Sequence, residues 1–168
     1  MNTAELLTDG FTRVSETAHQ AVEGVSPEVL TLQLDPAANS ISWLIWHLAR
    51  TEDDHLADAF GREQVWTAQG FDKKFDLPFD GAATGYGQRP ADVAAVKAPA
   101  ELLLEYVDAV HAATLGYLTG VTDDDLDRVV DTAWDPPVTL GVRLISVISD
   151  GLQHAGQAAY IRGVAERK

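Results

Sequence analysis

Apolar residues recur at spacings of three and four along four separate stretches of the chain, which is the periodicity of amphipathic helices. Asn and Ser are typical of helix N-caps, Pro of the first helical turn, and Gly of the helix end. The four predicted helices run from about Thr3 to Glu23, from Asn39 or Ser40 to Gly61, from Pro99 to Gly120, and from about Leu140 to Val164. Their predicted apolar faces include Leu6, Phe11 and Val14 in the first helix and Ile145, Ile148 and Leu152 in the fourth.

A long connection, roughly Arg62 to Ala98, separates the second and third predicted helices. Connections of this length are uncommon inside a compact domain and often form a lid or a pocket wall. Its aromatic residues are expected to pack onto the helices: Trp66, Phe71, Phe75, Phe79 and Tyr86. Later in the chain, Val129-Val130 and Pro137-Val138-Thr139 predict at most one short extended pair. Four long helices with one long crossover predict a single all-α domain over residues 1–168, a four-helix bundle.

The net negative charge of the chain argues against some classes of binding partner. Asp and Glu outnumber Lys and Arg by 26 to 12, which gives a formal net charge of −14. Such a surface disfavours binding to nucleic acids and to anionic membranes. No stretch approaches the roughly 18–20 apolar residues of a membrane-spanning helix, and the first residues lack the apolar segment of a signal peptide. We therefore expect a cytoplasmic protein without a nucleic-acid or membrane partner.

The chain has no cysteine. A disulfide, a thiolate metal ligand and a cysteine nucleophile are therefore excluded, and a metal ion would need His, Asp, Glu or water as ligands.

Asp150 and His154 lie four residues apart in the fourth predicted helix, so both side chains project from the same face. Val147, Ala158 and Ile161 continue that stripe. A buried carboxylate or imidazole is costly unless it is paired or binds a metal. The pair is therefore interpreted either as two ligands of one ion or as a local hydrogen-bonded pair.

His47 lies in the second predicted helix within the segment WLIWHLAR, between tryptophans and aliphatic residues. It is either a core histidine bonded to a backbone carbonyl or a third ligand. With Asp150 and His154 it would give two nitrogens and one carboxylate, a set that leaves room for water or substrate.

Other residues near these positions are candidates for a substrate pocket. Trp43 flanks His47. Arg50, one turn beyond His47, would face an anionic substrate or pair with Asp53 or Asp54. His55, two turns beyond His47, would lie either at the pocket mouth or on the surface.

The segments SISWLIWHLARTEDDHL and SDGLQHAGQAAYIRG together resemble the DinB/YfiT-like superfamily of metalloenzymes, and the resemblance extends over the whole chain. The chain looks closest to the branch of mycothiol-dependent maleylpyruvate isomerase. The resemblance implies that His47, Asp150 and His154 bind the metal, with Asp150 in place of the branch's Glu. Gly156-Gln157 matches the family's Gly-Gln pair, which adds Gln157 to the candidate pocket.

The resemblance also implies a function. A divalent metal, zinc or alternatively nickel, manganese or iron, would activate mycothiol or a similar thiol, which then attacks an electrophilic substrate. Two other functions stay open: a metal-dependent hydrolase, and a noncatalytic bundle that binds a small ligand or acts in stress. The resemblance favours a homodimer, and the Trp-rich second helix would supply its interface. Arg143 and Arg162 flank the site residues of the fourth helix and are expected to form surface salt bridges.

Overall fold

Four long helices dominate the computed structural model, which describes residues 1–167. They are α1 (Thr3–Val22), α3 (Ile41–Phe60), α7 (Ala100–Leu118) and α8 (Leu140–Ala165). Shorter elements lie between them: α2 (Pro27–Leu30), α4 (Val65–Ala68), α5 (Phe71–Phe75), α6 (Pro90–Ala95), a 3₁₀ turn (Asp123–Asp127), β1 (Val129–Asp131) and β2 (Val138–Thr139). The two strands form one antiparallel pair. The predicted all-α fold is confirmed.

Local sequence fixes where the long helices begin and end. The Asn2 side chain and Glu5 form a capping box at the start of α1. Ser40 caps α3 by accepting a hydrogen bond from the Trp43 amide, and Gly61 ends that helix in the left-handed conformation, with φ of 61°. The Thr139 side chain caps α8. These caps satisfy backbone groups that a helix leaves unpaired at its ends.

The long helices pack in the cyclic order α1, α8, α3, α7, so that each contacts two neighbours. Glycines let α1 and α8 approach closely. A Cβ atom at Gly151 would lie 2.7 Å from Val14 Cγ1, and one at Gly10 would lie 2.9 Å from Ile148 Cδ1. The buried residues of α8 are Leu140, Leu144, Val147, Ile148, Gly151, Ala155, Ala158 and Ile161.

Three residues assigned to the apolar faces are exposed instead. Leu6 and Ile145 are each 59% exposed and Leu152 is 38% exposed, so this part of the prediction was wrong. Helical spacing predicts an apolar stripe, but the packing partners decide which edge of the stripe is covered.

The Trp-rich face of α3 is buried within the protein. Trp43 is 6% exposed and Trp46 is 1% exposed, because the long connection covers this side of the helix. Trp46 packs edge-on against Trp66 and Phe79, both from that connection. The prediction that this face forms a dimer interface was therefore wrong, and the homodimer itself stays a prediction. Of the aromatic residues in the connection, Tyr86 does not pack down and is 95% exposed.

Glu52 is buried where α3 packs against α7, and its Oε1 accepts a hydrogen bond of 2.7 Å from the Thr114 hydroxyl. Burial raises the pKa of Glu52 from 4.5 to about 7, Thr114 opposes the rise, and the nearby Asp53 adds to it. Because the pKa of the folded state is the higher one, the contribution of Glu52 to stability is fully present below pH 4.5 and is lost as the pH rises to about 7.

We expect Glu52→Gln to remove this pH dependence, because the amide keeps the Thr114 bond without a charge. At pH 8 its free energy of unfolding should exceed that of the wild type by about 3 kcal/mol, measured by urea unfolding. Glu16→Gln, at an exposed position of α1, serves as the control. Parallel pH profiles of the wild type and Glu52→Gln would contradict the assignment.

Candidate metal centre

Three potential metal ligands converge where α3 packs against α8. His47 comes from α3, and Asp150 and His154 come from consecutive turns of α8. One donor atom from each residue lies within 4.8 Å of the other two. His154 Nε2 is 3.5 Å from Asp150 Oδ1, and the two imidazole rings are 4.7 Å apart between centroids. The packing of the two helices thus brings together the three residues that the sequence singled out.

The His47 ring is held by groups outside α3. Its Nδ1 donates a hydrogen bond to the backbone carbonyl of Thr84, which leaves Nε2 as the free nitrogen. Trp43 stacks on the ring at a centroid distance of 4.5 Å and is itself held through its Nε1 by Gln88. Burial lowers the pKa of His47, which the Thr84 carbonyl partly opposes, and so favours the neutral imidazole. A neutral ring with one nitrogen bonded to a carbonyl is typical of a metal-binding histidine.

His154 has a similar arrangement on α8. The Gln157 side-chain oxygen lies 3.4 Å from Nδ1, while Nε2 is the nitrogen that lies near Asp150. Gln157, a predicted pocket residue, therefore contacts the His154 ring.

One carboxylate oxygen of Asp150 lacks a binding partner among the described residues. Its Oδ2 is buried and has no hydrogen-bond partner among residues 1–167. A buried carboxylate oxygen without a partner is costly, and a cation would satisfy it. Two imidazoles and one carboxylate are a ligand set that zinc accepts with a position left open, and that other divalent metals also accept. The residues present therefore fit a divalent metal.

Gly85 allows the long connection to reach His47. It has φ of 105°, and a Cβ atom there would lie 2.5 Å from His47 Nδ1 and 3.0 Å from Trp43 Cζ2. Any side chain would push either the loop or the imidazole away. The Thr84 carbonyl thus contacts His47 because the next residue is glycine.

We expect Gly85→Ala to weaken zinc binding by roughly 10–100-fold, because the His47 ring loses its fixed orientation. Gly87→Ala is the matched control. Gly87 also has a positive φ, of 70°, but a Cβ atom there would meet nothing within 4 Å. Calorimetric titration with zinc compares the two variants. Equal affinities would contradict the role assigned to Gly85.

Arg50 does not line a pocket, and its prediction as a pocket residue was wrong. It is fully buried, with its guanidinium 4.9 Å from the centroid of the Trp66 ring. It donates hydrogen bonds to the Gln64 side chain at 2.9 Å, to the Tyr106 hydroxyl at 3.4 Å, and to the carbonyls of Ala82 and Ala83. These last two residues precede Thr84, so Arg50 anchors the segment that orients His47.

Asp53 fixes the other end of the same connection. Its carboxylate accepts hydrogen bonds of 2.8 Å from the backbone amides of Val65 and Trp66 and from the Tyr106 hydroxyl. Arg50 lies 3.8 Å away as its ion-pair partner. Pairing with Asp53 or Asp54 was one of the two alternatives that the sequence left open for Arg50, the other being contact with an anionic substrate. The two buried charges tie the connection to α3 and α7.

A cavity of about 580 Å³ opens beside the cluster. His55, which sequence placed either at a pocket mouth or on the surface, lines this cavity, whereas Trp43 and Gln157 do not. The cavity is lined by His47, Thr51, His55, Thr84, Tyr86, Asp131, Trp134, Val138, Val142, Arg143, Ser146, Val147 and Asp150.

The two arginines of α8 have different environments. Arg162 lies away from the cavity, where it binds Glu166 and the carbonyls of Gln20 and Glu23. Arg143 lines the cavity and binds Asp131 and His55, so the prediction of a surface salt bridge describes it incompletely. Sequence reasoning missed Asp131, Thr84 and Gly85 altogether. The glycines of Thr84-Gly85-Tyr86-Gly87 were the only local signal of a close approach.

Fold and site together define a class of protein, an all-α bundle with a two-histidine, one-aspartate cluster at the edge of an open cavity. Residues 6–166 match the sequence profile of the family described as mycothiol-S-transferase. The chain belongs to this family, which is of the DinB/YfiT-like type, and the resemblance seen in the sequence is thereby confirmed.

A solved structure has the same fold over its full length. The crystal structure of "the conserved protein of locus from Enterococcus faecalis" is 30% identical, with a TM-score of 0.91, and the match covers 100% of this chain and 99% of that one. No curated protein matches the chain. None of the helices in residues 1–167 combines the length and apolar character needed to cross a membrane.

Proposed function

We propose that this protein is a metal-dependent S-transferase that joins mycothiol, or a closely similar low-molecular-weight thiol, to an electrophilic carbon. The observation that carries the proposal is the convergence of His47, Asp150 and His154, with one buried carboxylate oxygen unpaired. Membership of a family described as mycothiol-S-transferase supports the choice of thiol over water as the nucleophile.

His47, Asp150 and His154 would hold a divalent ion, which we propose is zinc, although the mixed ligand set also admits nickel, manganese or iron. When bound, the ion lowers the pKa of a coordinated thiol so that the thiolate forms near neutral pH. Thr84 and Gln157 keep the two rings oriented through their other nitrogens. Trp43 restricts the His47 ring by stacking.

The sulfur of the reaction must come from the cosubstrate, because the chain contains no cysteine. In the transfer a carbon–sulfur bond forms, and the bond from that carbon to its leaving group breaks. The leaving group departs with the electron pair, and the thiol proton passes to solvent. A cytoplasmic location, where such thiols are kept reduced, is part of the proposal.

The cavity provides the place for the electrophile. His47 and Asp150 line it, and Trp134, Val138 and Val142 give it an apolar wall. Apolar side chains displace water from an apolar electrophile and so favour its binding next to the thiol.

Metal removal tests the proposal. Turnover of a chlorinated aromatic compound with mycothiol should disappear after chelation and return after zinc addition. The helical circular dichroism should not change, because the four long helices bury a core without the metal. Turnover that persists in the chelated protein would contradict metal dependence. Zinc-dependent hydrolysis of an ester, with no dependence on any thiol, would instead indicate a hydrolase.

A further inference from the structure

The cavity extends from the metal centre toward a second polar group. On α3, His47, Thr51 and His55 follow one another at a spacing of four and line the cavity together. On α8, Asp150 lies near His47, while Arg143 lies near His55, two turns away. Eight residues of helix separate His47 from His55, a rise of about 12 Å. The cavity therefore has a metal end and a His55 end.

Arg143 determines which nitrogen of His55 carries the proton. One guanidinium nitrogen of Arg143 donates to Asp131 Oδ2 at 2.7 Å, and the other lies 3.1 Å from His55 Nδ1. A guanidinium can only donate hydrogen bonds, so Nδ1 must accept and cannot hold a proton. In the neutral ring the proton is then on Nε2, the nitrogen that Arg143 does not contact.

The environment of His55 favours its neutral form. Burial lowers its pKa, Arg143 lowers it further, and Asp54, Asp150 and Asp58 oppose these effects. The nearest of these carboxylates, that of Asp54, lies 3.9 Å from Nδ1, beyond hydrogen-bond distance. A protonated ring would also place a second N–H against the Arg143 donor. The neutral ring with its proton on Nε2 is therefore the form that fits the contact between Nδ1 and Arg143.

We propose that Arg143, fixed by Asp131, positions His55 so that its Nε2–H donates a hydrogen bond to the electrophilic substrate, far from the reacting carbon. This inference rests on the proposed S-transfer. The substrate class that follows is apolar electrophiles that pack against Trp134, Val138 and Val142 and carry a carbonyl or similar acceptor at the far end. His55 is the contacting residue, and Arg143 is a positioning residue.

Two electrophiles test the proposal, a benzyl halide and its para-acetyl counterpart. For each protein, kcat/KM for the para-acetyl compound is divided by kcat/KM for the benzyl halide. Dividing this ratio in the wild type by the ratio in His55→Phe cancels the intrinsic reactivity of each compound. We expect this quotient to be about tenfold, the effect of one hydrogen bond. His55→Gln should retain the preference, because its amide places an N–H near the position of Nε2. His55→Asn, which mimics Nδ1, should lose it.

Nitrogen NMR of the zinc-loaded protein tests the same inference without turnover. The wild type should show Nδ1 unprotonated and Nε2 protonated, and Arg143→Met should give a mixture of tautomers. Adding the inert analogue 4-methylacetophenone should shift the Nε2–H resonance of His55. A proton on Nδ1, or an unchanged preference in His55→Phe, would overturn this inference. Absence of thiol-dependent turnover in a wild type that still shows the tautomer and the shift would overturn only the proposed S-transfer.

Discussion

The His154→Ala variant is expected to bind no zinc at micromolar concentrations and to lose more than about a hundredfold in thiol-dependent kcat/KM. Removing one of three ligands leaves a single imidazole and a carboxylate, which cannot compete with water for the ion at that concentration. The side chain is 18% exposed and its ring lies 4.7 Å from that of His47, so the melting temperature of the metal-free variant is measured as well, to separate the loss of a ligand from the loss of packing. Zinc titration and steady-state kinetics measure the two effects.

Neighbouring residues of α8 provide graded controls for His154→Ala. Gln157→Ala removes only the group beside His154 Nδ1, and its zinc affinity should fall by roughly 10–100-fold. Gln153→Ala removes an exposed side chain that bonds back to Ser149, and it should behave as the wild type. Wild-type turnover in His154→Ala would contradict the assignment of this residue as a ligand.

Arg50→Met is expected to lower the free energy of unfolding by about 3–5 kcal/mol, which is typical of breaking a buried ion pair. Asp53 would keep its bonds to the Val65 and Trp66 amides and to Tyr106, but it would lose the guanidinium that lies 3.8 Å from its carboxylate. The carbonyls of Ala82 and Ala83 would also lose their donor. Urea unfolding of the metal-free protein measures the loss.

Two further variants make the Arg50 result specific. Arg50→Lys keeps the charge but cannot bridge the same set of acceptors, so it should lie between the wild type and Arg50→Met. Arg89→Met alters an arginine whose side chain is 82% exposed, and a change within about 0.5 kcal/mol is expected. A loss of less than about 1 kcal/mol in Arg50→Met would show that the buried network does not anchor the connection.

The helices and the three candidate ligands could be predicted because their signals are local or periodic. Spacing of four placed Asp150 and His154 on one face, and Ser40 and Gly61 marked the ends of α3. The choice between a ligand and a core histidine at His47 could not be made from the residue alone. It depended on the resemblance and then on the packing of α3 against α8.

The contacts that support the site were beyond sequence reasoning for a physical reason. Thr84 acts through its backbone carbonyl, which every residue type possesses. Arg50 has its partner Tyr106 56 residues away, and nothing local distinguishes a buried arginine from one that faces a substrate. The same holds for Arg143, whose role depends on Asp131 and His55. Such pairings exist only once the connection and the helices have packed.

Metal content of the wild-type protein, purified without a metal-affinity tag and measured by native and elemental mass spectrometry, tests the central claim most directly. The account predicts about one divalent ion per chain, held by His47, Asp150 and His154. A protein that contains no metal and takes up none from added zinc would contradict it. The three residues would then be a polar network between α3 and α8, and Asp150 Oδ2 would need another partner.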